Sequence, residues 1–152
     1  GGATSWTSKG VLVGKSAKEG DDVDYYFGQV AIDKAFVDWG GNCGNLSAAV
    51  GAYAIQADLV DESLIPDDGF ATVKVWQVNT GKTIYVHVPI VGGEVAEIGE
   101  FMLDGVAFPA AEIRVDFIKP VSEDTKMFPT GNLIDQLDNF NRVFWKPSFN
   151  ST

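Results

Sequence analysis

Cys43 is the residue whose surroundings most favour chemistry. It is the only cysteine in the 152-residue sequence, and residues 40–45 (GGNCGN) place glycines and asparagines on both sides of it. Small and apolar residues typical of a helix follow, and Asn45 is expected to cap that helix. The thiol would then lie where free helical N–H groups and the positive end of the helix dipole stabilise a thiolate or a bound carboxylate. A buried, inert thiol is the alternative, because free cysteine is among the most buried residue types.

Lys9 is the second candidate, in the stretch Thr7-Ser8-Lys9-Gly10. A lysine in a loop rich in serine, threonine and glycine can bind a substrate carboxylate, or act as a base near neutral pH when it is desolvated. The alternative is an exposed lysine at the start of a strand, which describes most lysines. The residue type alone therefore leaves both roles open.

Other combinations of reactive residues receive less support. His87 alternates with Tyr85 along a predicted strand and has no Cys or His partner at metal-ligand spacing, which favours a packed or surface histidine over a metal ligand. The Gly-x-Ser-x-Gly elbow of a serine hydrolase is absent, and so is P-loop spacing around Lys9. The acidic pairs at residues 21–22 and 67–68 are typical of solvated loops. The sequence therefore predicts no metal site.

The composition predicts one globular domain. Hydrophobic residues make up 45% of the chain, and this length is enough to bury a sizeable core. Acidic residues outnumber basic ones by 21 to 11, for a formal charge of −10, which opposes binding to nucleic acid and to anionic membranes. A small anionic substrate stays compatible with this charge, because backbone N–H groups and one lysine can set a local positive potential. Neither a membrane-spanning stretch nor a signal segment is evident, so the expected location is the cytoplasm.

The elements that must position these residues are mostly strands. Residues 70–78 and 82–89 alternate in side-chain character around Asn79-Thr80-Gly81, which predicts a hairpin with a three-residue loop. Residues 73, 75 and 77 would then share one face of the first strand. Further short strands are predicted at residues 10–13, 25–32, 36–39, 94–98 and 112–118.

One helix lies among these strands, at residues 46–56 (LSAAVGAYAIQ). Its small and apolar residues suit a helix that is buried on every side. A second, short amphipathic helix is predicted at residues 133–139, whereas residues 139–152 fit either a strand packed on a neighbour or a disordered tail. Many strands around one central hydrophobic helix make an α+β fold the predicted architecture.

Three stretches together resemble the PrpF-like proteins, which are related to aconitate and 2-methylaconitate isomerases and have the diaminopimelate epimerase-like fold. The stretches are Thr7-Ser8-Lys9, residues 22–30 (DVDYYFGQV) and residues 37–51 (VDWGGNCGNLSAAVG), of which the last is long and specific. Shorter similar segments extend the resemblance to residue 132. Residues 1–132 are therefore identified as a PrpF-like N-terminal lobe without its opening segment, and residues 133–152 as a divergent tail.

The resemblance carries expectations about fold and activity. In that family, two similar lobes each wrap a β-barrel-like, mostly antiparallel sheet around a central helix, and the substrate binds between the lobes. The resemblance implies that this chain is a single truncated lobe, and that Lys9 and Cys43 transfer a proton on a tricarboxylate such as aconitate or 2-methylaconitate, without a cofactor. The expected substrate contacts are Ser8, Asn42, Gly44 and Asn45.

Two other functions stay open. A truncated lobe could be inactive and act as an oligomerising or carboxylate-binding module, because function resides in the completed site rather than in the fold. An amino-acid racemase or epimerase on the same fold is less favoured, since those enzymes normally use a thiol from each lobe and this chain has one cysteine. A homo-oligomer is expected for the isomerase and for the inactive lobe, because the face toward the missing lobe would be partly apolar.

Overall fold

The computed structural model describes residues 8–118 in full and residues 134–137 and 140–143 as backbone strands. The chain divides into two compact units, Gly1–Ile118 and Lys119–Thr152. The first unit holds the elements β1 (Lys9–Lys15), β2 (Val23–Val30), β3 (Val37–Asp38), α1 (Gly44–Gln56), β4 (Asp68–Gln77), β5 (Lys82–Val91), β6 (Glu94–Val95) and β7 (Arg114–Phe117), with a short 3₁₀ helix at Glu62–Leu64. The second unit contains a hairpin of β8 (Ile134–Leu137) and β9 (Phe140–Val143).

The sheet of the first unit is mixed but mainly antiparallel. Its strand order is β1-β2-β4-β5-β6, with β3 beside β2 and β7 beside β5. Strands β2 and β4 run parallel over residues 23–25 and 75–77, and the other strand pairs of the described residues are antiparallel. The predicted α+β class, with a mostly antiparallel sheet and one α-helix in the first unit, is confirmed.

The core lies between one face of this sheet and α1. Alternation along β4 and β5 buries every second side chain, and residues 73, 75 and 77 share the buried face as predicted. Helix α1 lies close to this face at Gly51, where an added Cβ would come within 2.6 Å of Val86 Cγ1. Gly51 therefore sets how closely the helix approaches the sheet.

The prediction that α1 is buried on every side is wrong. The buried residues of the helix are Ser47, Val50, Gly51, Ala54 and Ile55. Tyr53, by contrast, is 52% exposed, because the sheet covers the helix from one side. Small and apolar residues occur all around α1, so its sequence carries no polar stripe to mark the exposed side.

The exposed side of α1 and the strand β1 form an apolar groove of about 370 Å³, lined by Val11, Val13, Leu46, Ala49, Val50 and Tyr53. Within the described residues, no helix is long and apolar enough to cross a membrane.

The β4–β5 hairpin has a four-residue connection, residues 78–81, instead of the predicted three. Gln77 pairs with Lys82, and the N–H of Gly81 donates to the Gln77 carbonyl oxygen at 2.9 Å. The ladder ends before Val78 because the Val78 N–H donates to the carbonyl oxygen of Tyr25 in β2 instead, at 3.0 Å. Gly81 closes the turn with φ +64°, a conformation that glycine adopts without strain.

The predicted helix at residues 133–139 is wrong where the structure describes it. Residues 134–137 form β8, paired antiparallel with β9. Seven residues are too few for a helix that is stable without packing, and pairing with the next segment satisfies the same backbone groups. Residues 140–143 of the predicted tail form the strand β9, whereas the predicted boundary at residue 132 and the other tail residues lie outside the described residues.

Candidate active site

Lys9 and Cys43 lie next to each other, with Lys9 Nζ 3.6 Å from Cys43 Sγ. The strands bring them together across 34 positions of sequence. Gln29 of β2 pairs with Lys9 on one side and with Asp38 of β3 on the other, so the chain that leaves β3 reaches Cys43 beside the start of β1. An ammonium group at this distance can donate a hydrogen bond to a thiolate and stabilise its charge.

Cys43 is itself the N-cap residue of α1. Its backbone is extended, with φ −127° and ψ 110°, and Gly44 is the first helical residue. Asn45 therefore lies inside the first turn, and the prediction that it caps the helix is wrong. Within the described residues, the Cys43 side chain makes no capping hydrogen bond. Its thiol instead contacts Lys9, beside helical N–H groups of the kind that bind anions.

Two buried hydroxyl groups hold the Cys43 carbonyl oxygen. Tyr25 donates to it at 3.2 Å and Ser47 at 2.9 Å. Burial raises the pKa of the Tyr25 hydroxyl, which keeps it a neutral donor at pH 7. Sequence reasoning missed both residues, because one lies in an apolar strand and the other in an apolar helix. The resemblance marked their segments but did not single them out.

Asn79 holds the loop that leads into Cys43, and sequence reasoning missed it too. Its side-chain amide accepts a hydrogen bond from the Phe27 N–H at 2.8 Å and donates to the Phe27 carbonyl oxygen at 2.8 Å. It also donates to the carbonyl oxygen of Trp39. Phe27 lies between the residues of β2 that pair with β4 and those that pair with β3. The amide therefore fills a gap in the β2 ladder, whereas the sequence indicated only a turn residue.

Trp39 gives the same loop a second attachment. Its ring stacks on that of Tyr26, with 4.6 Å between centroids and 20° between planes. An added Cβ at Gly28 would lie 2.8 Å from the Trp39 ring. The absence of a side chain at Gly28 is what lets the indole lie against β2.

The other predicted contact residues differ in exposure. Three of them are exposed: Asn42, Gly44 and Asn45. Ser8 is only 6% exposed, and its carbonyl oxygen accepts a hydrogen bond from Gln29 Nε2 at 2.7 Å. This contact anchors the chain just before Lys9. A role for the four residues in contacting substrate stays a prediction.

His87 lies on the opposite face of β5 from the buried core. Thr72 Oγ1 is 2.9 Å from its Nδ1, and Asp116 Oδ2 is 2.8 Å from its Nε2. This is the packed or surface histidine that the sequence favours. In the described part of the chain, His, Cys, Asp and Glu side chains form no group of three or more that could hold a metal ion.

The sheet, the helix and the amine–thiol pair define an α+β domain with a lysine–cysteine site at the start of its helix. The family model for the PrpF protein matches residues 1–145, and the chain belongs to the PrpF family. The 2-methyl-aconitate isomerase of Shewanella oneidensis is 58% identical over 142 residues, which cover 91% of this chain and 36% of that protein. The 3-methylitaconate isomerase of Eubacterium barkeri is 40% identical over 138 residues, which cover 90% of this chain and 35% of that protein.

The fold of the domain also has a counterpart among solved structures. The crystal structure of methylitaconate-delta-isomerase matches with a TM-score of 0.75 at 39% identity, over 90% of this chain and 34% of that one. The predicted family resemblance is therefore confirmed. This chain spans about a third of the length of the relatives it matches.

Proposed function

We propose that this chain is the N-terminal lobe of a cofactor-independent PrpF-type isomerase, in which Lys9 and Cys43 move a proton on an unsaturated tricarboxylate such as aconitate or 2-methylaconitate. The observation that carries the proposal is the 3.6 Å contact between Lys9 Nζ and Cys43 Sγ at the start of α1. The names of the relatives support it, since they are isomerases of 2-methyl-aconitate and 3-methylitaconate.

The proposed reaction is a proton shift across three carbons. The Cys43 thiolate takes a proton from a carbon next to a carboxylate, and the C–H electron pair forms a new double bond to the middle carbon while the electron pair of the old double bond moves toward the far carbon. The Lys9 ammonium returns a proton to the far carbon of the three. The thiol proton then passes to the neutral amine, so the site regains its starting state with no net gain or loss of protons. Helical N–H groups beside Cys43 stabilise the negative charge that develops on the substrate.

The same proposal concerns the rest of the binding site. We propose that the lobe is of the diaminopimelate epimerase-like kind and that Ser8, Asn42, Gly44 and Asn45 contact the substrate carboxylates. The far wall of the pocket then comes from a second lobe, either on another part of the polypeptide or in a homo-oligomer. Exposed apolar side chains, among them Leu12 at 62%, Phe108 at 69% and Ile98 at 94% exposure, support the proposal that part of the surface is covered by another lobe. The proposed location is the cytoplasm.

An inactive lobe that binds a carboxylate or oligomerises is the second candidate. This chain spans about a third of the length of its relatives, so the isomerase activity that their names give is itself a proposal for this chain. Light scattering at several protein concentrations distinguishes a monomer from an oligomer. A monomer at every concentration would contradict the oligomer part of the proposal.

The decisive experiment follows proton exchange in D₂O. The protein is incubated with 2-methylaconitate or trans-aconitate, and NMR records both isomer composition and deuterium incorporation. We expect exchange in the native sequence and a loss of at least about 100-fold in Cys43→Ser and in Lys9→Met. Lys15→Met, at the other exposed end of β1, is the matched control and should keep full activity. Absence of both isomerisation and exchange at high protein concentration would contradict isomerase activity of this chain alone.

A further inference from the structure

A row of buried polar side chains runs through an otherwise apolar core. Tyr25 and Ser47 are fully buried and Gln77 is 3% exposed, whereas the core cluster around them is mainly valine, isoleucine and alanine. A buried polar group destabilises the folded state unless its hydrogen bonds are made. The hydrogen bonds that satisfy these three side chains, followed from donor to acceptor, indicate the role of the row.

The hydrogen bonds of the row all lead toward Cys43. The Thr80 hydroxyl donates to Gln77 Oε1 at 3.0 Å. Gln77 Nε2 in turn donates to Ser47 Oγ at 3.5 Å. The Ser47 hydroxyl donates to the Cys43 carbonyl oxygen at 2.9 Å, and the Tyr25 hydroxyl donates to the same oxygen at 3.2 Å.

The Cys43 carbonyl oxygen thus accepts three hydrogen bonds, because the Ser47 N–H also donates to it, at 3.1 Å. Three donors on an oxygen with two lone pairs fix the plane of the peptide group between Cys43 and Gly44. Fixing this plane also fixes the direction in which the thiol leaves the backbone. The donors polarise the same peptide group, since linked hydrogen bonds strengthen one another, and the Gly44 N–H becomes a stronger donor.

We infer that Tyr25, Ser47 and Gln77 are positioning residues for Cys43. They hold the thiol toward Lys9 and strengthen the Gly44 N–H as a donor to negative charge that develops beside it. The part of this inference that concerns charge on a substrate rests on the proposed function. The part that concerns the thiol needs no substrate, because a thiolate at Cys43 gains from the same fixed peptide group.

A purely structural role makes a different prediction. Replacing both partners of a buried hydrogen bond by apolar groups of similar shape leaves no unsatisfied atom and is close to neutral for stability. The double variant Ser47→Ala/Gln77→Met does this, and it leaves the exposed Thr80 hydroxyl to water. A structural role predicts that Cys43 in this stable variant reacts as in the native sequence.

The test is the rate of Cys43 alkylation by iodoacetamide at pH 7, which is specific because the chain has one cysteine. We expect Ser47→Ala/Gln77→Met and, separately, Tyr25→Phe to slow alkylation about threefold. Val50→Ala removes buried apolar volume from the same helix and should lower stability without changing the rate. Tyr53→Phe, on the exposed side of α1, should change neither.

Unchanged or faster alkylation in both Tyr25→Phe and Ser47→Ala/Gln77→Met overturns the proposal, whether or not urea unfolding shows that these variants are less stable. If the chain shows no isomerisation, the proposed function fails while the alkylation rates still decide the positioning role. If isomerisation is measurable, we expect kcat to fall about threefold with KM unchanged. A kcat equal to that of the native sequence in these variants also overturns the proposal.

Discussion

Asn79 is the residue whose replacement tests most directly how the site is held. Its amide makes three hydrogen bonds to backbone groups, two with Phe27 of β2 and one with Trp39 at the start of the loop that leads to Cys43. Phe27 is only 4% exposed, so water cannot easily replace the amide there. Loss of the amide leaves an N–H and a carbonyl group of β2 without this partner and removes one of the two attachments of the loop.

We expect Asn79→Ala to lower the free energy of unfolding by about 3 kcal/mol, at roughly 1 kcal/mol for each of the three hydrogen bonds. With a urea m-value of about 1.5 kcal/mol/M, this corresponds to a midpoint lower by about 2 M. Asn79→Asp has the same size and keeps the acceptor for the Phe27 N–H. It places a carboxylate oxygen against two carbonyl oxygens, so we expect about the same loss at pH 7.

The assay is urea unfolding followed by tryptophan fluorescence, with Cys43 alkylation measured on the folded variants. Asn45→Ala is the matched control, because Asn45 is exposed and its side chain makes no hydrogen bond within the described residues; it should change stability by less than about 0.5 kcal/mol. A native-like midpoint for Asn79→Asp would show that the two hydrogen bonds donated by the amide add nothing to stability, and would refute the role of its donors.

Two further predictions concern the helix and the buried tyrosine. Gly51→Ala should lower the free energy of unfolding by about 1–2 kcal/mol, because the new Cβ would lie 2.6 Å from the stiff side chain of Val86. Gly44→Ala is the control on the same helix, where an added Cβ meets open space, and it should be neutral or stabilising. A Gly51→Ala variant as stable as the native sequence would contradict the close approach of helix and sheet. Burial raises the pKa of Tyr25 above its ordinary value of 10.0. Above pH 10 the unfolded chain has lost this proton and the folded chain keeps it, so stability falls with rising pH until the folded pKa is passed, by up to about 1.4 kcal/mol per pH unit. Urea midpoints between pH 8 and 11 should show this fall, and Tyr25→Phe should reduce it; an equal fall in both proteins would contradict the assignment.

The strands could be predicted where local pattern alone decides them. The alternation in residues 70–78 and 82–89 defines β4 and β5 because each has one buried and one exposed face. The parallel pairing of β2 with β4 could not be predicted, since it joins segments 52 positions apart, such as Val23 and Val75. The exposed side of α1 was missed for a related reason: only the position of β1 and the sheet decides which of its apolar residues stay uncovered.

The same distinction applies to the site residues, of which some could be predicted from the sequence and others could not. Cys43 could be identified from local chemistry, because glycines and a helix start leave a recognisable pattern around it. Lys9 could be paired with Cys43 only through the resemblance; the two side chains lie 3.6 Å apart, and their joint role in proton transfer stays a prediction. Asn79, Ser47 and Tyr25 could not be identified, because each acts on a backbone group that is distant in sequence or hidden in an apolar segment.

These hidden residues also explain how a loop rich in glycine can hold a thiol in place. Residues 40–42 have little rigidity of their own, since two of the three are glycines. The loop is instead held at both ends from the end of β4 and the turn that follows it: Asn79 of the turn binds Trp39 at one end, and Gln77 of β4 acts through Ser47 on Cys43 at the other. We propose that the glycines allow a ligand to approach the backbone between these two points. The rigidity of the loop and the access of a ligand to it are therefore supplied by different segments. The turn that holds the loop joins β4 and β5, which are the longest strands of the sheet in the described residues.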